Sequence, residues 1–314
     1  MSIHWYPGHM HKASKEMAKV LPQVDIIIEL LDARIPYSSA NPFIEKLRED
    51  KPSLKLISKS DLADPAITQL WQDYFDHHNQ TKAFAIDNRQ LDRSQRIFEA
   101  CFNLAQHKAN KEKTIVAMIT GIPNVGKSTL INNLAGRHIA KTGNEPAVTK
   151  GQQRIKLENG ITLLDTPGIL WPKVENEHGS YRLAVTGAIR DTVVNYDDVA
   201  FYAAEHLITH YFSLLTERYK LASTTTDPLT LLEQIGRQRG CLRAGGQVDL
   251  ERVSTVFINE LRTGTIGSIS LETPQMIEQE LVEVANLQAA KEARKKAAKQ
   301  RAAVRRKKPQ KQSR

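Results

Sequence analysis

Eight consecutive residues at positions 121–128, with the sequence GIPNVGKS, match the pattern G-x-x-x-x-G-K-[ST] that binds nucleotide phosphates. In such a loop, backbone N–H groups converge on the phosphates at the start of a helix. Lys127 would reach the β- and γ-phosphates, and the hydroxyl of Ser128 would bind Mg²⁺. We therefore expect the following residues to contact the nucleotide: Asn124, Val125, Gly126, Lys127, Ser128 and Thr129.

A second motif, DTPG at residues 165–168, predicts the element that holds the metal and senses the γ-phosphate. Asp165 ends an apolar run, where its carboxylate can bind a water of the Mg²⁺ shell, and Gly168 offers a backbone N–H that a Cβ would obstruct. Between the two motifs lies a polar stretch in which Thr149 is the candidate for contacting Mg²⁺ and the γ-phosphate. Thr142 is the alternative in the same stretch.

A third motif, SKSD at residues 58–61, fits the recognition of guanine. The carboxylate of Asp61 can accept from both N1–H and N2–H₂ of guanine, a pair of donors that adenine lacks. Lys59 can lie along the face of the base. Ser58 stands where asparagine is usual, so we expect weaker affinity, and Ser60 completes the motif. The next strand end, with Asp87 and Asn88, would add backbone N–H contacts.

The order of these motifs is unusual, because the guanine motif precedes the phosphate loop and normally follows it. The sequence thus predicts a GTPase whose chain is circularly permuted. Ile169 follows Gly168, at the place where many GTPases carry a glutamine that orients water. Another group must then act on the water, and His9 and His11 are the candidates near the N-terminus.

Short β-rich runs and helical patterns alternate along the first 170 residues, as in a parallel sheet covered on both faces. We predict strands at 25–31, 54–57, 82–86, 114–120, 154–157 and 161–164, and helices at 65–75, 91–106 and 127–134. Helical patterns follow at 196–219, 228–239 and 249–263. The predicted fold is an α/β, mostly parallel six-stranded P-loop GTPase domain with helices on both faces (residues 1–175). A smaller all-α domain (176–274) comes next, and then a helix with a disordered basic tail (275–314).

Composition excludes several classes of protein. The two cysteines, Cys101 and Cys241, lie too far apart for a zinc ribbon or a disulfide framework. No targeting segment or membrane span is visible, so we expect a cytoplasmic protein without membrane contact. The net charge is +9, yet residues 291–314 alone carry +11, from seven Lys and five Arg against Glu292. This tail lacks aromatic residues, so it should bind phosphates without reading sequence.

The chain resembles the circularly permuted GTPases that act in ribosome assembly. The motif order, WYPGHM at 5–10, DARIP at 32–36 and LDTPGILWP at 164–172 carry the resemblance, which covers about residues 1–272. It implies a GTP hydrolase of low basal activity that is stimulated by the ribosomal particle. Such an enzyme acts late in assembly of the large subunit, binds the precursor with its RNA and ribosomal proteins in the GTP state, and leaves on hydrolysis. We expect a monomer.

The resemblance also implies two roles for particular residues. His9 matches the histidine that the family places near the γ-phosphate as its catalytic group. Asn124 matches the phosphate-loop asparagine that coordinates K⁺ in related GTPases.

Two alternatives compete with this interpretation. Permuted GTPases of the small subunit carry zinc-binding cysteine clusters, which this chain lacks. An inert RNA-binding scaffold that only senses GTP would explain Ser58 and Ile169.

Overall fold

A computed structural model describes residues 8–78, 80–87, 94–105, 114–140, 153–171, 176–221 and 224–307. In this part of the chain six strands form one sheet in the order β3-β2-β1-β4-β6-β5. All neighbours are parallel except β5 and β6. The strands are β1 (Ile26–Asp32), β2 (Ser53–Ser58), β3 (Thr81–Ala85), β4 (Ile115–Gly121), β5 (Gln153–Lys156) and β6 (Ile161–Asp165).

The mostly parallel six-stranded sheet predicted from the sequence is confirmed, and each strand lies within one residue of its expected bounds. The central strands explain this agreement. Every residue of β1 (IIIELLD) is buried, because a parallel strand between two neighbours is covered on both faces. Its single internal charge, Glu29, is paired at 2.8 Å with Lys55, the residue opposite it on β2.

The helices of the first half of the chain are α1 (Gly8–Val20), α2 (Pro36–Ser39), α3 (Pro42–Arg48), α4 (Pro65–Asp76), α5 (Ser94–Leu104) and α6 (Lys127–Ala135). Their starts follow local chemistry. Proline occupies the first turn of α2, α3 and α4, where its missing N–H costs nothing. The carboxylate of Asp64 caps α4 by accepting from the N–H groups of Ala66 and Ile67.

The second half is helical, with α7 (Glu177–Val185), α8 (Tyr196–His210), α9 (Phe212–Tyr219), α10 (Pro228–Gln238), α11 (Leu250–Arg262) and α12 (Pro274–Lys307). The pattern at 196–219 is two helices that meet at Tyr211, whose φ and ψ of −136° and 30° are not helical. We did not predict α7, because its residues are buried on most sides and give no clear amphipathic stripe.

The chain forms two compact units, and the boundary along the sequence falls between Thr273 and Pro274. The sheet and helices α1–α11 belong to the first unit, and α12 is the second. Helix α12 continues into the basic segment as far as Lys307, because Ala, Lys, Arg and Gln are all strong helix formers. Among the described helices, none combines the length and the apolar character that crossing a membrane requires.

Candidate functional site

The phosphate loop leaves the end of β4 and opens onto α6, the strand–loop–helix arrangement that the motif requires. Gly121 must lack a side chain, since a Cβ there would lie 2.9 Å from the carbonyl oxygen of Leu30. Asn124 and Gly126 have φ values of 59° and 97°. Left-handed residues in such a turn point successive N–H groups into one concavity, which binds anions.

Lys127 begins α6, and its Nζ forms a buried ion pair with Oδ1 of Asp165 at the end of β6. The two meet because β4 and β6 are neighbours, with Ile119 opposite Asp165. Burial raises the pKa of Asp165, while the Lys127 ammonium opposes the rise. The structure thus places the lysine that would bind phosphate beside the carboxylate that would hold the metal.

The oxygen donors at this point fit Mg²⁺. The Ser128 hydroxyl lies in the first turn of α6 and the Asp165 carboxylate at the end of the neighbouring strand, and Mg²⁺ prefers such hard oxygen ligands. Thr149, the third predicted ligand, lies outside the described residues, as does its alternative Thr142. When bound, Mg²⁺ would neutralise charge that develops on the phosphate oxygens.

Gly168 approaches the phosphate loop closely. A Cβ at this position would lie 3.2 Å from the backbone nitrogen of Pro123, so the close contact depends on glycine. Ile169, next in the chain, is only 1% exposed, and its carbonyl accepts from Asn41 at 3.4 Å. A buried isoleucine cannot orient a water molecule. His9 belongs to α1, but its side chain is outside the described part of the structure.

Ser58, the residue in the place of asparagine, is fully buried at the end of β2. Its Oγ lies 2.7 Å from the carbonyl oxygen of Val125 in the phosphate loop and 2.9 Å from that of Leu31. The single hydroxyl proton can be donated to one of these at a time. Ser58 therefore ties the guanine motif to the phosphate loop, and both its contacts are to protein backbone.

Lys59 is held by a buried network of charges. Its Nζ lies 2.9 Å from Oδ2 of Asp32, whose carboxylate also accepts from Nε and Nη2 of Arg34 at 2.9 and 2.7 Å. Burial by itself would raise the pKa of Asp32, but the Arg34 and Lys59 charges outweigh it, so that the pKa lies well below its ordinary range. Burial also lowers the pKa of Lys59, against the raising effect of Asp32.

Asp61 and Ser60 lie in a short 3-10 helix, Ser60–Leu62, directly after β2 and Lys59, and both are half-buried. The Ser60 N–H donates to the carbonyl of Ile86 at 3.3 Å. The end of β3 therefore lies beside the guanine motif, and it brings Asp87 to this edge of the sheet. Asn88 lies outside the described residues.

The helical half of the unit contacts both ends of this site. Nδ2 of Asn124 donates to the carbonyl of Gly187, just after α7, at 2.8 Å. The segment after α11 reaches the guanine motif, where the Ile269 N–H donates to the Leu62 carbonyl at 2.9 Å and Ser268 Oγ to that of Asp61 at 3.3 Å.

Sequence reasoning missed this support. Arg34 is 2% exposed and Arg182 is fully buried against Glu272, yet isolated arginines in a sequence are ordinarily surface residues. The only available signal was DARIP, taken as a mark of resemblance, in which Asp and Arg two residues apart can pair.

Comparisons with known proteins agree with this geometry. Residues 116–227 match the family model described as 50S ribosome-binding GTPase. Ribosome biogenesis GTPase A of Priestia megaterium is 46% identical over 90% of this chain and 100% of its own length. The chain belongs to the ribosome biogenesis GTPase A family. The Thermotoga maritima member is 30% identical over 87% of this chain and 95% of its own length.

A solved structure supports the same assignment. The GNP-bound YlqF from T. maritima superposes with a TM-score of 0.60 at 25% identity, covering 84% of this chain and 99% of the other. As a member of this family with a GTPase domain, the protein binds and hydrolyses GTP and acts in ribosome assembly. The predicted family, fold and enzyme class are thereby confirmed.

Proposed function

We propose that this GTPase acts late in assembly of the large (50S) ribosomal subunit. It binds the precursor particle, with its ribosomal RNA and proteins, in the GTP state, and it leaves when GTP is hydrolysed. The family model that matches is named for 50S binding, and the relatives are named for ribosome biogenesis. The proposal places the protein in the cytoplasm as a monomer.

One observation carries the coupling between nucleotide and particle. The helical region binds the phosphate loop through Asn124 and Gly187, and the guanine motif through Leu62 and Ile269. A rearrangement on either side of the nucleotide would therefore act on the helices directly. In an unpermuted GTPase the segment after the glycine that corresponds to Gly168 returns to the sheet. In this chain the segment leads into α7.

Hydrolysis in this proposal uses residues beyond the phosphate loop. Ser128, Asp165 and Thr149 would bind Mg²⁺, and Asn124 would bind a K⁺ ion that supplies positive charge at the phosphates. Gly168 would contact the γ-phosphate, with Asp61 and Lys59 on the guanine base. His9 would act on the attacking water, a role that buried Ile169 cannot fill.

Multiple-turnover GTP hydrolysis with and without large subunits, in K⁺ and in Na⁺, tests the proposal. We expect slow hydrolysis by the protein alone, faster hydrolysis with the particle, and higher rates in K⁺. Absence of turnover in every condition would favour the inert scaffold. Equal stimulation of turnover by small and by large subunits would contradict the assignment to the large subunit.

Release on hydrolysis needs a separate experiment. The protein should sediment with large-subunit precursors in a non-hydrolysable GTP analogue and separate from them in GDP. Small-angle scattering on and off the particle should then distinguish the two nucleotide states. Identical shapes and identical binding in both nucleotides would contradict the release mechanism.

The basic segment would add affinity without sequence preference. Deleting residues 291–314 removes seven Lys and five Arg and should weaken particle binding, because fewer counterions are released. The slope of log affinity against log salt concentration should flatten, while basal GTP hydrolysis stays unchanged. Equal binding at every salt concentration would contradict this role.

A further inference from the structure

Arg262, the last residue of α11, uses all five N–H groups of its guanidinium. Nε donates to the Val185 carbonyl at 2.8 Å, and Nη2 to the Ala184 carbonyl at 2.8 Å. Both terminal nitrogens donate to Asp191, at 2.9 and 3.2 Å, and Nη1 also to the Tyr196 hydroxyl at 3.0 Å. A guanidinium bound on every side holds its partners in a fixed arrangement.

Two of these partners are the last carbonyls of α7. A cation at the carboxyl end of a helix binds carbonyls that have no partner within the helix. The chain then turns through Gly187 with φ of 78°, and a Cβ there would lie 3.4 Å from both Cζ and Nε of Arg262. The guanidinium thus packs directly against the turn that follows α7.

The same turn binds the phosphate loop. The Gly187 carbonyl accepts from Nδ2 of Asn124 at 2.8 Å. The amide oxygen and nitrogen of asparagine branch from one planar carbon, so fixing Nδ2 also fixes the direction of Oδ1. Whatever holds the Gly187 carbonyl therefore sets which way Oδ1 of Asn124 points.

We propose that Arg262 is a positioning residue for the phosphate loop, which acts through the turn at Gly187 on the side chain of Asn124. The inference rests on the proposed function only in the K⁺ role of Asn124. It assigns the end of α11 a part in GTP hydrolysis that is separate from any contact with RNA. An assembly partner that displaced α11 would also change the phosphate loop.

A second contact of Arg262 provides an internal control. Its backbone carbonyl accepts from Nη1 of Arg34 at 3.3 Å, on the guanine side of the site. A side-chain substitution leaves this carbonyl in place. The proposal therefore predicts a disturbance of the phosphate loop without one in β2 and Lys59.

Hydrogen exchange in the nucleotide-free protein tests this directly. Arg262→Gln should speed exchange of the amides of Ile122 and of residues 124–126 about tenfold, the effect of losing about one hydrogen bond, and Arg262→Lys should do so less. Amides 53–59 should be unchanged. Arg218→Gln is the matched control, because Arg218 pairs with Glu260 in the same helical region at 2.8 Å. If Arg262→Gln unfolds the protein, Asp191→Asn tests the same clamp from its more exposed side.

Combination with Asn124→Ala decides the mechanism. On that background, Arg262→Gln should add nothing to exchange in the loop and nothing to the loss of kcat. We expect the single variant to lower kcat for GTP about tenfold while KM changes less. Additive effects, or unchanged exchange at Ile122 and residues 124–126 in folded Arg262→Gln and Asp191→Asn, would overturn the proposal. If Asn124→Ala keeps the preference for K⁺, the cation assignment fails, while the exchange cycle still decides the role of Arg262.

Discussion

The phosphate half and the guanine half of the nucleotide site are supported in different ways. The phosphate half is one contiguous turn between β4 and α6, joined to Asp165 on the neighbouring strand. The guanine half depends on side chains, and Lys59 is held by the buried carboxylate of Asp32, which also binds buried Arg34. In the proposed function, phosphate recognition depends mainly on the backbone of one turn, whereas base recognition depends on side chains that a buried charge network holds.

Removing the charge of the phosphate half should have the largest effect. Lys127→Ala should lower GTP affinity about 100-fold or more, since truncating one member of a buried charge pair costs about 2–5 kcal/mol. It also leaves the Asp165 carboxylate buried without its cation, so the melting temperature should fall. Fluorescence titration with a labelled GTP analogue and thermal melting measure the two effects. Adding Asp165→Asn should restore stability but not affinity. Full GTP affinity in Lys127→Ala would show that Lys127 does not bind the phosphates.

Changing the base contact should come next. Asp61→Asn replaces an acceptor pair with one acceptor and one donor, and should cost about 1–3 kcal/mol of GTP binding. Xanthine carries a carbonyl where guanine has N2–H₂, so affinity for XTP should rise in this variant. Competition binding with GTP, XTP and ATP measures the change. Equal losses for GTP and XTP would show that Asp61 does not face the base.

Breaking the scaffold of the guanine half should cost stability as well as affinity. Asp32→Asn leaves Arg34 and Lys59 without their carboxylate, and such a loss costs about 3–5 kcal/mol of unfolding free energy. GTP and GDP affinity should fall equally, about tenfold, because the proposed function places Lys59 on the base and not on the γ-phosphate. A loss confined to GTP would place Lys59 in the phosphate half instead.

The dependence of this effect on pH follows from the lowered pKa of Asp32. Because the folded pKa lies below the unfolded value of about 3.9, ionised Asp32 stabilises the fold at higher pH. This stabilisation is lost as the pH falls below about 4 towards the folded pKa. Urea unfolding should therefore show a wide gap between wild type and Asp32→Asn at neutral pH that narrows in acid. A constant gap would contradict the charge network.

The same contrast explains how much the sequence could predict. The central strands and the phosphate loop were predictable, since buried parallel strands are continuous apolar runs and the loop is a contiguous motif. The Arg262 clamp and the Asn124–Gly187 bond join residues far apart in the chain, and no local pattern marks them. Ser58 shows an intermediate case, because its place in the motif was recognisable but its bond to Val125 was not.

The smallest expected effect concerns Ser58, where the two halves touch. Ser58→Ala removes the hydroxyl that donates to the carbonyl of either Val125 or Leu31. We expect a loss of about 1 kcal/mol, or about fivefold in affinity, shared equally by GTP and GDP. Isothermal titration with both nucleotides measures it, with Ser53→Ala in the same strand as control.

Ser58→Asn sharpens the comparison further. The longer amide must fit a site that is fully buried, so it gains donors only if the end of β2 moves away from the phosphate loop. If serine is matched to this closer packing, Ser58→Asn should lower stability without raising affinity. Higher nucleotide affinity in Ser58→Asn would show that an asparagine amide contributes more to binding than the hydrogen bond between Ser58 and Val125 does.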